Sequence, residues 1–142
     1  RPAYFKDFLD NFYNVDTFAP ERISEQAWQA SFNVAAGASP HASYVCVDSW
    51  LIDFRADLPN IDVPMLVVHG TADRILPYES TAKRLPDLVA DLRLITVEGG
   101  PHNIGWTHPE VCNKALLEFL AEDADGSSGL EQDVATAAGT EP

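Results

Sequence analysis

Two stretches, Pro64-Met65-Leu66-Val67-Val68-His69-Gly70-Thr71-Ala72-Asp73 and Leu92-Arg93-Leu94-Ile95-Thr96-Val97-Glu98-Gly99-Gly100-Pro101-His102, decide how this chain folds. Each carries a short run rich in aliphatic and β-branched residues and then meets glycine, the pattern of a strand buried on both faces. Between them, Pro77 suits the first turn of a helix that reaches to about Leu85. Beyond them, Thr107-x-x-Glu110 reads as a capping box opening a last helix, with Val111, Ala115, Leu116, Phe119 and Leu120 packed inward. Strand, helix, strand, helix predicts a βαβ unit and an α/β fold. Its right-handed crossover makes the strands parallel and brings both carboxyl ends to one edge of the sheet. Ligands of open α/β sheets bind outside that edge.

Upstream the periodicity changes. Phe5, Phe8, Leu9 and Phe12 fall at i, i+3, i+4 and i+7, the apolar face of an amphipathic helix. Ser24 is placed to cap a second helix with Trp28, Phe32 and Ala35 on one side, ending near Gly37. Ser39-Pro40 suits the start of a third, with Tyr44, Val47, Leu51 and Phe54 at helical spacing. The expected organisation is a helical segment over 1–56, a βαβα unit over 57–122 that begins with a connector from Asp57 to Pro64, and an acidic tail over 123–142. That tail holds five acids and no bases and has little apolar content to bury, so it is expected to be disordered.

The chain has 142 residues, 46% of them hydrophobic and 22% charged, an ordinary globular balance. Nine Lys plus Arg against 22 Asp plus Glu give a net charge of −13, which argues against a nucleic-acid or anionic-membrane surface. The longest apolar runs are a handful of residues, too short to span a bilayer. Cys46 and Cys112 lie far apart without the spacing of a metal cage and are expected to be reduced, buried thiols of a cytoplasmic protein. No signal-peptide pattern is expected among these 142 residues. It opens on Arg1 directly into a helix, and the expectation is a piece of something longer.

The chemistry is expected at the two strand ends. Asp73 and His102 are distant in sequence, yet each lies a few residues past its strand and so belongs on the same edge. A carboxylate beside an imidazole holds the ring in one tautomer and stabilises its protonated form, which a general base needs before it deprotonates a hydroxyl nucleophile. Either residue alone has a plain structural explanation, an Asp in a turn or a packed His; the pair on neighbouring loops is what points to catalysis. His69 is expected to make a packing or backbone contact, and His41 and His108 flank helix starts. No His, Asp and Glu set has a metal-binding spacing such as H-E-x-x-H. Gly99-Gly100 carries no following lysine and is no phosphate loop; it lets the backbone turn so that the histidine reaches the acid.

The strings Gly70-Thr71-Ala72-Asp73-Arg74-Ile75-Leu76-Pro77, Gly99-Gly100-Pro101-His102 and Trp106-Thr107-His108-Pro109-Glu110-Val111-Cys112-Asn113-Lys114-Ala115-Leu116-Leu117-Glu118-Phe119-Leu120 resemble the C-terminal part of α/β-hydrolase fold enzymes. Cys46-Val47-Asp48-Ser49-Trp50-Leu51-Ile52-Asp53-Phe54-Arg55 is similar to the last cap helix of their cofactor-free haloperoxidase and esterase branch, and the resemblance covers roughly residues 4–121. It implies a Ser-His-Asp triad with Asp73 as the orienting acid and His102 as the base, under a helical cap formed by the first fifty or so residues, with the two strands the last two of a parallel sheet. It also implies a small ester, or a carboxylate with peroxide, as substrate, and no metal, flavin or nicotinamide. Trp28, Phe32, Trp50 and Phe54 would line an apolar substrate pocket under the cap, or else pack helix to helix in its core, and Trp106 would pack near the histidine loop. Asn103 departs from the small residue more usual after the histidine. The nucleophile of this fold precedes the acid and sits in G-x-S-x-G at a sharp turn; no serine here lies in that motif, and neither cysteine sits at a turn. The chain therefore carries two-thirds of a triad and is expected to be the C-terminal half of a larger hydrolase, completed by a missing N-terminal half or a complementary chain, or to form a homo-oligomer. An enol-lactonase or C–C bond hydrolase shares the same two loops, and a non-catalytic assembly component is the alternative of another class.

Overall fold

The computed structural model describes residues 2–125 and 134–135. Four helices come first: α1 over Pro2–Phe12, α2 over Val15–Phe18, α3 over Glu25–Gly37 and α4 over Pro40–Ser49. Leu9, Tyr13 and Ile23 form their buried centre, with Phe8, Phe12, Val15, Phe18, Trp28 and Phe32 packed around it. Ser24 caps α3 by accepting from the Ala27 N–H, and Ser39 caps α4 by accepting from Ala42, with Pro40 in the first turn as expected.

The strands β1 (Met65–Gly70) and β2 (Leu92–Val97) are parallel, registered from Met65 opposite Leu92 to Gly70 opposite Val97. After β2 come a short helix, α5 over Ile104–Thr107, and a long one, α6 over Pro109–Asp125. A two-residue strand, β3 over Val134–Ala135, lies parallel to β2 on its other side, so the sheet order is β1-β2-β3. Two parallel strands, ending side by side, are what the site requires.

Several local expectations are corrected. The segment from Pro77 is not an α-helix but two 3₁₀ turns, Tyr78–Ser80 and Ala82–Asp87, broken at Thr81. The Thr81 hydroxyl bonds back to the Pro77 carbonyl at 2.8 Å, and Pro86 lacks the N–H that a continuing helix would need. Thr107 makes no capping box. It ends α5, is fully buried, and hydrogen-bonds the Asn103 carbonyl and His108 Nδ1, so α6 starts after His108. On α6 only Ala115 of the five expected inward residues is fully buried, while Leu116 and Leu120 are exposed.

Helix α4 stops at Ser49, so Leu51 and Phe54 lie outside it. Asp53 accepts from the backbone and the guanidinium of Arg55, a local turn that competes with helix. Every residue from Ala36 to Asp57 is exposed, Cys46 among them; that thiol is not buried, because it faces an open apolar cavity between α4 and α1. The tail beginning at 123 is likewise not wholly unstructured: α6 takes its first three residues and β3 two more, while 126–133 and 136–142 lie outside the described residues. Among the described residues, no helix is long and apolar enough to cross a membrane.

Candidate active site

The loops after β1 and β2 are tied to each other by backbone bonds. Thr71 donates to the Val97 carbonyl at 2.9 Å and Ala72 to the Gly100 carbonyl at 3.0 Å, while the Gly99 N–H returns a 2.8 Å bond to the Thr71 hydroxyl. Gly70 makes the approach possible: a Cβ there would run into the Gly100 carbonyl and lie 2.6 Å from that of Pro101. Gly99 turns the chain at φ +70, a conformation open to glycine at little cost.

This seam brings together the two residues expected from the sequence. Asp73 is buried, and its Oδ1 accepts the N–H groups of Ile75 and Leu76, each at 2.8 Å. Its Oδ2 faces His102 Nδ1 at 2.7 Å, a charge-assisted bond in which the ring N–H donates to the carboxylate. With the proton on Nδ1, the Nε2 lone pair is left free to accept one. The His102 side chain keeps 27% of its surface accessible, and among the described residues no hydroxyl or thiol bonds Nε2.

Three neighbours of the pair were not legible as such. The Phe12 ring lies 4.9 Å from the His102 imidazole and walls one side of it. Asn14, buried in the left-handed region at φ 48, donates from Nδ2 to the Ala72 carbonyl at 2.9 Å. Its signal was faint: Asn is one of the few residues that tolerates that conformation, and it stands between two helical patterns. His69 makes the expected backbone contact, Nδ1 to the Gly70 carbonyl at 3.0 Å, and its Nε2 also lies 3.5 Å from Asp73 Oδ2. At the rim, Arg74 forks onto Asp16 and holds that carboxyl below its ordinary range.

The four aromatic residues assigned to a substrate pocket are not gathered at His102. Trp28 and Phe32 stack on each other at 5.4 Å against the helical core, with Trp28 Nε1 donating to Asp10. Trp50 lines a separate apolar cavity of about 550 Å³ with Tyr4, Phe8 and Val47, and Phe54 is exposed on the surface. Trp106 is also exposed, 53%, rather than packed on the histidine loop. Among the described residues, no group of His, Cys, Asp and Glu could hold a metal ion.

No family model matches the sequence. A putative non-heme chloroperoxidase of Synechocystis sp. is 58% identical over 120 residues, 84% of this chain and 44% of that protein. Bromoperoxidase from Bacillus anthracis superposes with a TM-score of 0.78 at 31% identity, covering 85% of this chain and 44% of that one. An esterase from Exiguobacterium antarcticum gives 0.75 at 25% identity, covering 85% and 43%. Parallel strands with an acid and a histidine at their carboxyl ends define the C-terminal part of an α/β-hydrolase fold. The branch this chain resembles is that of the non-heme haloperoxidases and esterases, whose C-terminal half it matches. It spans somewhat less than half the length of these relatives.

Proposed function

We propose that this chain supplies the orienting acid and the general base of a Ser-His-Asp acyl-transfer site acting on small carboxylic esters. One observation carries the reading: the 2.7 Å bond between His102 Nδ1 and an Asp73 carboxylate whose other oxygen is held by two backbone N–H groups. In this scheme His102 Nε2 takes the proton of a serine hydroxyl as its oxygen attacks the ester carbonyl, then passes that proton to the departing alcohol. The same nitrogen next deprotonates water or hydrogen peroxide, which attacks the acyl carbon and releases a carboxylic acid or a peracid. Asp73 stays ionised throughout and holds the ring. The serine and the oxyanion-stabilising N–H groups come from a further segment of the protein or from a complementary chain. The free cysteines Cys46 and Cys112 fit a reducing, cytoplasmic setting.

The test compares this chain with a protein extended upstream to include a G-x-S-x-G segment. The extended protein is expected to hydrolyse p-nitrophenyl acetate and, with acetate and peroxide, to brominate a β-diketone probe. His102→Ala should lower both rates by at least about a thousandfold. This chain alone is expected to show no turnover above background. Turnover by the chain alone, abolished by His102→Ala, would place a nucleophile within it. An extended protein inactive on esters but active on an enol-lactone or a C–C bond substrate would move the assignment within the fold, and inactivity on all of them would favour a non-catalytic component.

A further inference from the structure

We propose that the turn between α1 and α2 positions the acid–histidine pair, and that Asn14 is the positioning residue through which it acts on Asp73; this rests on the acyl-transfer reading above. The turn Phe12-Tyr13-Asn14 meets each loop one residue from its functional side chain. Asn14 Nδ2 donates to the carbonyl of Ala72, the residue before Asp73. The Phe12 carbonyl accepts, at 3.0 Å, the N–H of Asn103, the residue after His102. The Phe12 ring meanwhile lies against the imidazole itself. Two residues of one turn, Phe12 and Asn14, thus reach the acid loop, the histidine loop and one face of the base.

Conformation alone does not explain Asn14. Its φ of 48 would be adopted with least strain by glycine. The amide instead brings a polar group into a site where it is 2% exposed and where Oδ1 finds no donor among the described residues. An inert turn residue would not carry that desolvation cost. What offsets it is the bond to Ala72. With its N–H on the Gly100 carbonyl and its carbonyl on Asn14, the Ala72 residue is held from both sides. Rotation of that peptide would swing the Asp73 carboxylate away from His102 Nδ1, and the amide opposes it.

Two variants separate positioning from folding. Asn14→Gly keeps the left-handed turn and removes the amide; Asn14→Asp keeps its shape and sets an oxygen against the Ala72 carbonyl. In this chain the nitrogen NMR shifts of the His102 ring report its tautomer and its bond to Asp73. Both variants are expected to move these shifts towards those of a free imidazole while the proteins remain folded. In the extended protein, kcat is expected to fall about tenfold with KM within about twofold of wild type. Unchanged ring shifts in folded Asn14→Gly, with kcat within about twofold of wild type, would overturn the proposal. Unfolding of both variants would assign Asn14 to the fold rather than the site and overturn it equally. Moved ring shifts in this chain together with an extended protein that turns over no ester would sink the acyl-transfer reading and leave the positioning of the pair standing.

Discussion

Asp73 and His108 are two buried ionisable side chains with different surroundings. Asp73 is buried with acceptor sites met on both oxygens, by two backbone N–H groups and by His102. His108 is only 4% exposed, with Thr107 Oγ1 at 2.8 Å, the Phe18 ring edge-on at 5.4 Å and the Arg22 guanidinium close by. Burial first, and the Arg22 charge second, press the His108 pKa below its ordinary 6.5. The folded chain therefore prefers this ring neutral. Just below pH 6.5 the unfolded state binds the proton that the folded state refuses, so stability is full above that value and declines as the pH falls through the interval beneath it. Chemical denaturation at stepped pH should show that decline. Replacing the ring by the non-titrating His108→Gln should flatten it, and an unchanged slope in the variant would refute the assignment.

At the scale of elements, the acid and histidine loops behave as one seam rather than two loops, because backbone bonds cross between them before either side chain takes part. Gly70 is where that seam is closest. Gly70→Ala must push the Gly100-Pro101 backbone away, since the obstacle is main chain and not a side chain that could rotate aside. Thermal or urea unfolding should register a loss of at least about 2 kcal/mol, and the nitrogen shifts of the His102 ring should change with it; a variant as stable as wild type would show that the loops can part freely. The two strands, their parallel direction and the approach of Asp73 to His102 were legible because they rest on local patterns and one crossover rule: apolar runs for strands, glycine for their ends, a carboxylate and an imidazole just beyond. The elements misread were those where a side chain captures the backbone. Thr81 folds the segment after Pro77 into 3₁₀ turns, Thr107 bonds back to Asn103 instead of capping forward, and Asp53 ends the run towards Phe54. No periodicity records such bonds. Phe12 and Asn14 escaped for another reason. Their parts in the site depend on long-range contacts, Asn14 to Ala72 and Phe12 to His102, that no spacing within a helix can encode.

Across the whole molecule, the distribution of apolar surface is uneven. The contacts that join the first helices to the sheet are made by residues up to Arg22: Phe12 and Asn14 on the two loops, Asp16 on Arg74, Phe18 on His108 and Arg22 on the Thr107 carbonyl. Beyond Ala35 the chain leaves that body, and α4 with its exit exposes Tyr44, Val45, Val47, Trp50, Leu51, Ile52 and Phe54 in succession. A second exposed feature is the free side of β1, which has no strand partner among the described residues and so offers unpaired N–H and carbonyl groups. Covering side chains such as Trp50 and Leu51 would contribute about 1.5–3 kcal/mol each. The net charge of −13 opposes self-contact, but from Ala36 to Asp57 one Arg against three Asp leaves only −2, and charges elsewhere are screened beyond about 8 Å at physiological salt. Apolar covering should therefore outweigh repulsion. The isolated chain is expected to self-associate in sedimentation with a concentration dependence that strengthens as salt is added, and the double change Trp50→Ser with Leu51→Ser should shift it towards monomer. A wild-type chain that sediments as a monomer at every salt concentration and melts in one cooperative step would show that this surface is stable in water, and that neither α4 nor the β1 edge calls for a covering partner.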